Sequence, residues 1–212
     1  MNILTKFKDK ESLQNISRFL MTLCYLAIAL FIGTLILSFM GRHSYHLQYG
    51  NSDYPNAIYA ENNHDYSSRG LTVSVNDNNI RVYAHSDNGK IELITYIGIV
   101  ITSALSIIPM IFAFWFLAKL FSNVSRGNIF IRDNANYLLY YGIIRILLGV
   151  VIPFIKYLVI TITDTISADS ISINTGSDTM NLLITGITFI VASYIINCGI
   201  NLQDEVDHTL WL

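Results

Sequence analysis

Four long apolar runs alternate with polar stretches along the chain: Phe19 to Met40, Leu93 to Phe121, Tyr137 to Thr163 and Met180 to Leu202. A helix needs about 20 apolar residues to cross a bilayer, and each run meets that length. The pattern predicts spans over 19–40, 93–121, 137–163 and 180–202. A cleaved signal peptide is the rival reading of the first run. Its apolar core exceeds the usual ~7 to 15 residues, and Phe39-Met40-Gly41-Arg42 has no small-x-small cleavage site, so a retained anchor is expected. Pro109 and Pro153 fall inside the second and third runs. Each removes a backbone donor and crowds the preceding turn, which predicts kinks.

Between the first two runs lies the long polar segment 41–92. Leu71, Val73 and Val75 alternate with polar residues, Asn76 to Asn79 read as a turn, and Ile80, Val82 and Ala84 return. A β-hairpin over 71–85 is expected, with Asp87-Asn88-Gly89 as a second turn. The Tyr-, Asn- and Ser-rich half before it shows no period and is expected to be irregular, and 165–179 reads as a short loop. The fold class is therefore an all-α transmembrane protein: a four-helix membrane bundle with a small extracytoplasmic β-hairpin insertion between helices 1 and 2. One membrane domain covers 1–212, with a cytoplasmic connector at 122–136 and a cytoplasmic tail at 203–212.

Composition agrees: 52% of residues are hydrophobic and 13% charged, which is too apolar for a typical soluble domain. The net charge of −2 leaves no basic footprint for direct nucleic-acid binding. Lys6, Lys8, Lys10, Arg18, Lys119, Arg126 and Arg132 gather at the span ends that four crossings place on one side, so both termini are expected in the cytoplasm. No H-E-x-x-H, G-x-S-x-G or P-loop pattern occurs, and no nucleophile is paired with a base, so no enzyme is expected. His43, His46, His64 and His85 lack the tight ligand spacing of a metal site, and Cys24 and Cys198 read as packing residues; no metal or cofactor is expected.

The third run contains Arg145, a cation that cannot be neutralised and that costs about 2.5–3.5 kcal/mol near a bilayer centre on insertion scales. At about 100° per residue, Gly142, Arg145, Gly149 and Lys156 share one face of that helix. Gly186, Ser193, Asn197 and Asn201 share a face of the fourth, leading towards Asp204. With Arg145 about 12 Å deep, the stripes predict that its guanidinium runs along Asn197 and Asn201. Lys156, about 28 Å from the inner end, is expected to snorkel at the outer interface.

The connector Arg126-Gly127-Asn128-Ile129-Phe130 with Asn134 after it, and the ending Leu202-Gln203-Asp204-Glu205-Val206-Asp207-His208-Thr209-Leu210, resemble the bacterial membrane family catalogued as domain of unknown function 2975. There the connector reads Lys-Gly-x-Pro-Phe with a following Asn and the tail Leu-x-Glu-Glu-x-Asp-Leu-Thr; this chain departs at Ile129 and His208. The resemblance is read over the second to fourth spans, with the hairpin outside it. It implies a four-span protein of the bacterial cytoplasmic membrane with no established enzymatic activity, whose gene often accompanies one for a small helix-turn-helix DNA-binding protein.

The leading expectation is a membrane regulator or adaptor that senses the envelope and docks a cytoplasmic partner. Arg126, Gly127, Phe130, Arg132 and Asn134 of the connector and Asp204, Glu205, Asp207 and Trp211 of the tail would form that surface, opposite charges and apolar anchors being what such docking uses. The alternative is a small transporter or channel subunit with a polar path between spans 3 and 4. Membrane lipid is the other implied partner, and a homo-oligomer stays open.

Overall fold

In a membrane a backbone can satisfy its own hydrogen bonds only as a helix or a closed barrel, so each apolar run becomes a helix, and each extends beyond its apolar part. The computed structural model describes residues 10–40, 45–49, 52–55, 71–77, 80–86, 91–175 and 179–209. Its helices are α1 (Lys10–Phe39), α2 (Leu93–Ser125), α3 (Arg132–Ile166) and α4 (Thr179–Thr209). All four are long and apolar enough to cross a membrane, which marks the chain as a multi-pass membrane protein. α2 and α3 continue through Pro109 and Pro153. α4 carries on through the segment read as a tail, as far as Thr209.

The hairpin at 71–85 is present as β3 (Leu71–Asp77) and β4 (Ile80–Ser86), antiparallel with Val75 opposite Val82. Of the turn expected at 76–79, Asn76 and Asp77 belong to β3 and 78–79 lie outside the described residues, as does the turn expected at 87–89. Two expectations are overturned. The segment read as irregular contributes β1 (Tyr45–Tyr49) and β2 (Ser52–Pro55), and the short loop after the third span contributes β5 (Ser170–Thr175). Together they make a five-stranded sheet in the order β2-β1-β3-β4-β5, antiparallel at every pairing. Ile171 and Ile173 alternate with serine and asparagine and are the only apolar positions of β5, a pattern too brief to stand out beside a membrane span. Ile171 pairs with Ala84, and both are buried.

The chain divides into two compact units. One holds Met1–Leu30, Met110–Leu147 and Asn181–Leu212; the other holds Phe31–Pro109 and Leu148–Met180. In the first, α3 and α4 meet backbone to backbone. A Cβ added at Gly142 would lie 2.7 Å from the Gly186 carbonyl oxygen, and one at Gly186 would lie 2.8 Å from that of Gly142. Glycine is what allows two membrane helices to approach this closely, and the gain is dispersion contact along both.

In the second unit α2 approaches α3 at Gly98, where a Cβ would overlap the Thr163 side chain. One turn away, the start of α2 is capped from far along the chain. Asp169 Oδ2 accepts from the Glu92 amide (2.8 Å) and from the Thr95 hydroxyl (2.8 Å). Glu92 Oε2 in turn accepts from the Ala168 amide and from Ser167 Oγ, both at 3.1 Å. Thr95 and Ser167 are themselves 2.6 Å apart. Two hydroxyl protons serve three oxygen contacts here: Thr95 gives its proton to Asp169, so Ser167 divides its own between Thr95 and the more distant Glu92. Asp164 Oδ1 accepts from the Ile171 amide (2.7 Å), holding the entry to β5. Tyr96 donates through its hydroxyl to the Phe39 carbonyl, so the end of α1 is fixed to the same helix start.

Asp169 is 5% exposed and Thr95 fully buried. Removing the carboxylate strands two donors at about 1–3 kcal/mol each. Asp169→Ala is therefore expected to lower the thermal midpoint of the detergent-solubilised protein, and Asp169→Asn, which retains an acceptor, to lower it by less than half as much. Gly142→Ala is expected to cost about 1–3 kcal/mol by overpacking, read in the same melting assay.

Candidate functional site

The connector between α2 and α3 is six residues long, and its shape is set by one side chain. Asn134 is 1% exposed. Its amide nitrogen donates to the carbonyls of Asn128 (2.8 Å) and Ile129 (2.9 Å), while its oxygen accepts from the Asn123 side-chain amide (2.9 Å). The Arg126, Gly127 and Asn128 amides return to Asn123 and Val124 at the end of α2. Gly127 has φ 89°, a left-handed conformation that strains any side chain, which is why glycine follows the last turn of the helix.

That local fold sends Ile129 and Phe130 outwards. They are 37% and 56% exposed, and Arg126 and Arg132 are exposed beside them. One edge of the Phe130 ring lies along Gly199 of α4, 3.7 Å from where a Cβ would stand. Behind the connector, Phe116 stacks on Tyr137 and tilts against Tyr140 at 6.1 and 5.1 Å, and Lys119 lies over the Trp115 ring at 5.8 Å.

Of the residues expected to dock a partner, Arg126, Gly127, Phe130 and Arg132 lie on this connector, with Arg132 opening α3. Asn134 does not face outwards; it is the buried organiser, because a side-chain amide that holds three backbone or amide groups has nothing left for a partner. Glu205 is exposed on α4. The side chains of Asp204 and Asp207, and all of Trp211, lie outside the described residues.

The two intramembrane stripes come together only in part. Gly142 and Gly186 touch, and Ser193 donates to the Ala135 carbonyl at 2.6 Å, so α3 and α4 do pack through these faces. Gly149 is buried. Asn197 and Asn201 are exposed, and Arg145 does not reach them. Its guanidinium turns to α2 instead, where Nη1 is 3.9 Å from Met110 Sδ, and it lies 6.0 Å from the Tyr141 ring. Contact at Gly142 and Gly186 leaves no room for a long side chain between α3 and α4 at that level, so Arg145, about 60° around the helix from Gly142, passes to the other neighbour. Arg145 Nε is buried and has no hydrogen-bond partner among the described residues. Lys156 likewise departs from expectation: it is 1% exposed, and does not snorkel.

Among the described residues no group of His, Cys, Asp and Glu is placed to hold a metal. His43 and His64 lie outside them. The polar knot of Glu92, Thr95, Ser167 and Asp169 was missed in the sequence. Its one signal was that Lys90-Ile91-Glu92 offers α2 no Ser, Thr, Asn or Asp as a cap, so a cap had to come from elsewhere.

A match to the family described as Protein of unknown function (DUF2975) extends over residues 48–210, which is more than half of the chain. The chain belongs to the DUF2975 family. The match begins inside β1, so this DUF2975 chain carries its sheet within the family region, not outside it as the connector and tail alone implied. No curated protein and no solved structure matches it.

Two outcomes are expected for the site. Asn134→Leu should free the connector and raise proteolytic cleavage after Arg126 in membranes at least tenfold. Arg145→Met should leave the thermal midpoint unchanged or raise it. The guanidinium costs about 2.5–3.5 kcal/mol to embed, and a cation–π contact returns only about 0.5–2 kcal/mol. A clear fall in the midpoint would instead make Arg145 a structural pin.

Proposed function

We propose that this DUF2975 protein is a non-enzymatic membrane regulator or adaptor. Its four helices form a bundle in the bacterial cytoplasmic membrane with both termini in the cytoplasm, and the sheet on the opposite side meets the envelope. The connector, together with the C-terminal turns of α4, holds a cytoplasmic partner such as a small helix-turn-helix DNA-binding protein. The observation that carries this reading is the connector itself: a buried asparagine keeps six residues in one shape, and the shape presents Ile129, Phe130, Arg126 and Arg132 outwards. A preformed apolar anchor ringed by charge is what a protein partner uses, because little ordering entropy remains to be lost on binding.

The transporter alternative depends on a polar path between the third and fourth spans. Its support is reduced by the contact of Gly142 with Gly186 and by the exposure of Asn197 and Asn201.

The test is co-purification of the full-length protein from gently solubilised membranes of its own host. A DNA-binding protein in equimolar amount is the expected result. Phe130→Ala with Ile129→Ala should reduce its recovery at least tenfold without changing the elution volume of the membrane protein, and removal of the last ten residues should abolish it. Recovery that is indifferent to both changes would overturn the assignment of the surface, and solute flux in proteoliposomes sensitive to Arg145→Met would favour transport.

A further inference from the structure

The second unit contains a feature that the docking reading does not use. Between the start of α2 and the end of α3 runs a groove of about 430 Å³, walled by Ile94, Ile97 and Ile101 on one side and by Val159, Ile162 and Ile166 on the other. Gly98 and Thr163 form its floor, where the two helices nearly touch. The Thr163 hydroxyl is already bonded to the Val159 carbonyl at 2.7 Å, so the lining offers no free polar group. The groove runs over eight residues of each helix, Ile94 to Ile101 and Val159 to Ile166, or about 10 Å for seven steps of 1.5 Å. Its floor is a helix–helix contact, at Gly98 and Thr163.

At one end, Ile94 and Ile166 are followed along their chains by the polar knot. Glu92 is exposed there, above the buried Asp169, with Asp164 nearby at the entry to β5. Every bond recorded for these three carboxylates comes from an amide or a hydroxyl; no Lys, Arg or His pairs with any of them among the described residues. The groove therefore combines an apolar trough in two helices fit to cross a membrane with carboxylates at its mouth that no described cation pairs with.

We propose that this groove binds one acyl chain of a phospholipid whose headgroup carries a primary ammonium, with the ammonium against Glu92. The trough is lined by isoleucine, valine and a self-satisfied threonine, and so matches hydrocarbon in chemistry. The ammonium offers three N–H donors and a positive charge, which no described Lys, Arg or His supplies to these carboxylates, whereas an anionic headgroup would meet like charge. This inference stands apart from the docking of a cytoplasmic partner, which involves the other unit.

The test is native mass spectrometry of the full-length protein in mild detergent with equal amounts of phosphatidylethanolamine and phosphatidylglycerol of identical acyl chains. One retained lipid per chain is expected, with phosphatidylethanolamine favoured at least fivefold. Ile97→Trp and Ile162→Trp fill the trough from opposite walls; both positions are exposed, at 47% and 58%, so the fold accommodates them. Each should cut the retained lipid at least fivefold with unchanged elution volume. Glu92→Gln, which still accepts from Ser167 and Ala168, should keep the adduct and lose the headgroup preference. Lipid retention that both tryptophan variants leave intact would overturn the site, and equal retention of the two headgroups by the unaltered protein would overturn the role of Glu92. A dimer abolished by the tryptophan variants would assign the groove to a second copy of the chain.

Discussion

Where helix backbones come within contact, the rest of their side chains have no freedom to choose a neighbour. Gly142 against Gly186 in one unit, and Gly98 against Thr163 in the other, are the points at which this happens. Apolar side chains gain nothing from leaving hydrocarbon for one another, so association of membrane helices has to come from close packing and a few hydrogen bonds. Small residues at the crossing make that packing dense, and they also set the rotation of each helix. Arg145 faces Met110 because Gly142 has already taken the side towards α4.

The four helices were legible because apolar length is a strong and local signal, and the β3–β4 hairpin because alternation over two matched strands is another. What escaped was non-local. β1, β2 and β5 are strands only through their partners, and the cap on α2 comes from Asp169, remote in sequence from the helix it completes. Helical rotation placed Gly142, Gly186 and Ser193 on packed faces, but rotation within one helix does not say which neighbour a face meets. For that reason the path inferred for Arg145 along Asn197 and Asn201 failed while the helix contact beneath it is present.

The connector shows the opposite economy. Its shape is decided within a dozen residues, by Asn123, Gly127 and Asn134, and needs no distant support. The same residue types that made it recognisable in the sequence are those that fold it, with the difference that Asn134 works from inside. Arg145 is a different kind of feature. It carries a charge with a thioether and an aromatic face for company, and its Nε has no hydrogen-bond partner among the described residues, an arrangement that offsets little of the cost of burying the charge.

Strand β5 gives the sheet a place in the order of synthesis. β1 to β4 emerge before α2, whereas the strand that completes the edge beyond β4 emerges only after both α2 and α3 have been made. The late strand arrives tethered to the end of α3, at the site where Asp164 and Asp169 hold the chain. A ribosome-bound fragment ending before it would display β4 as an unpaired edge, open to any extended segment nearby. Completion of the sheet therefore waits on the helices: its last strand is made only after α2 and α3 have emerged.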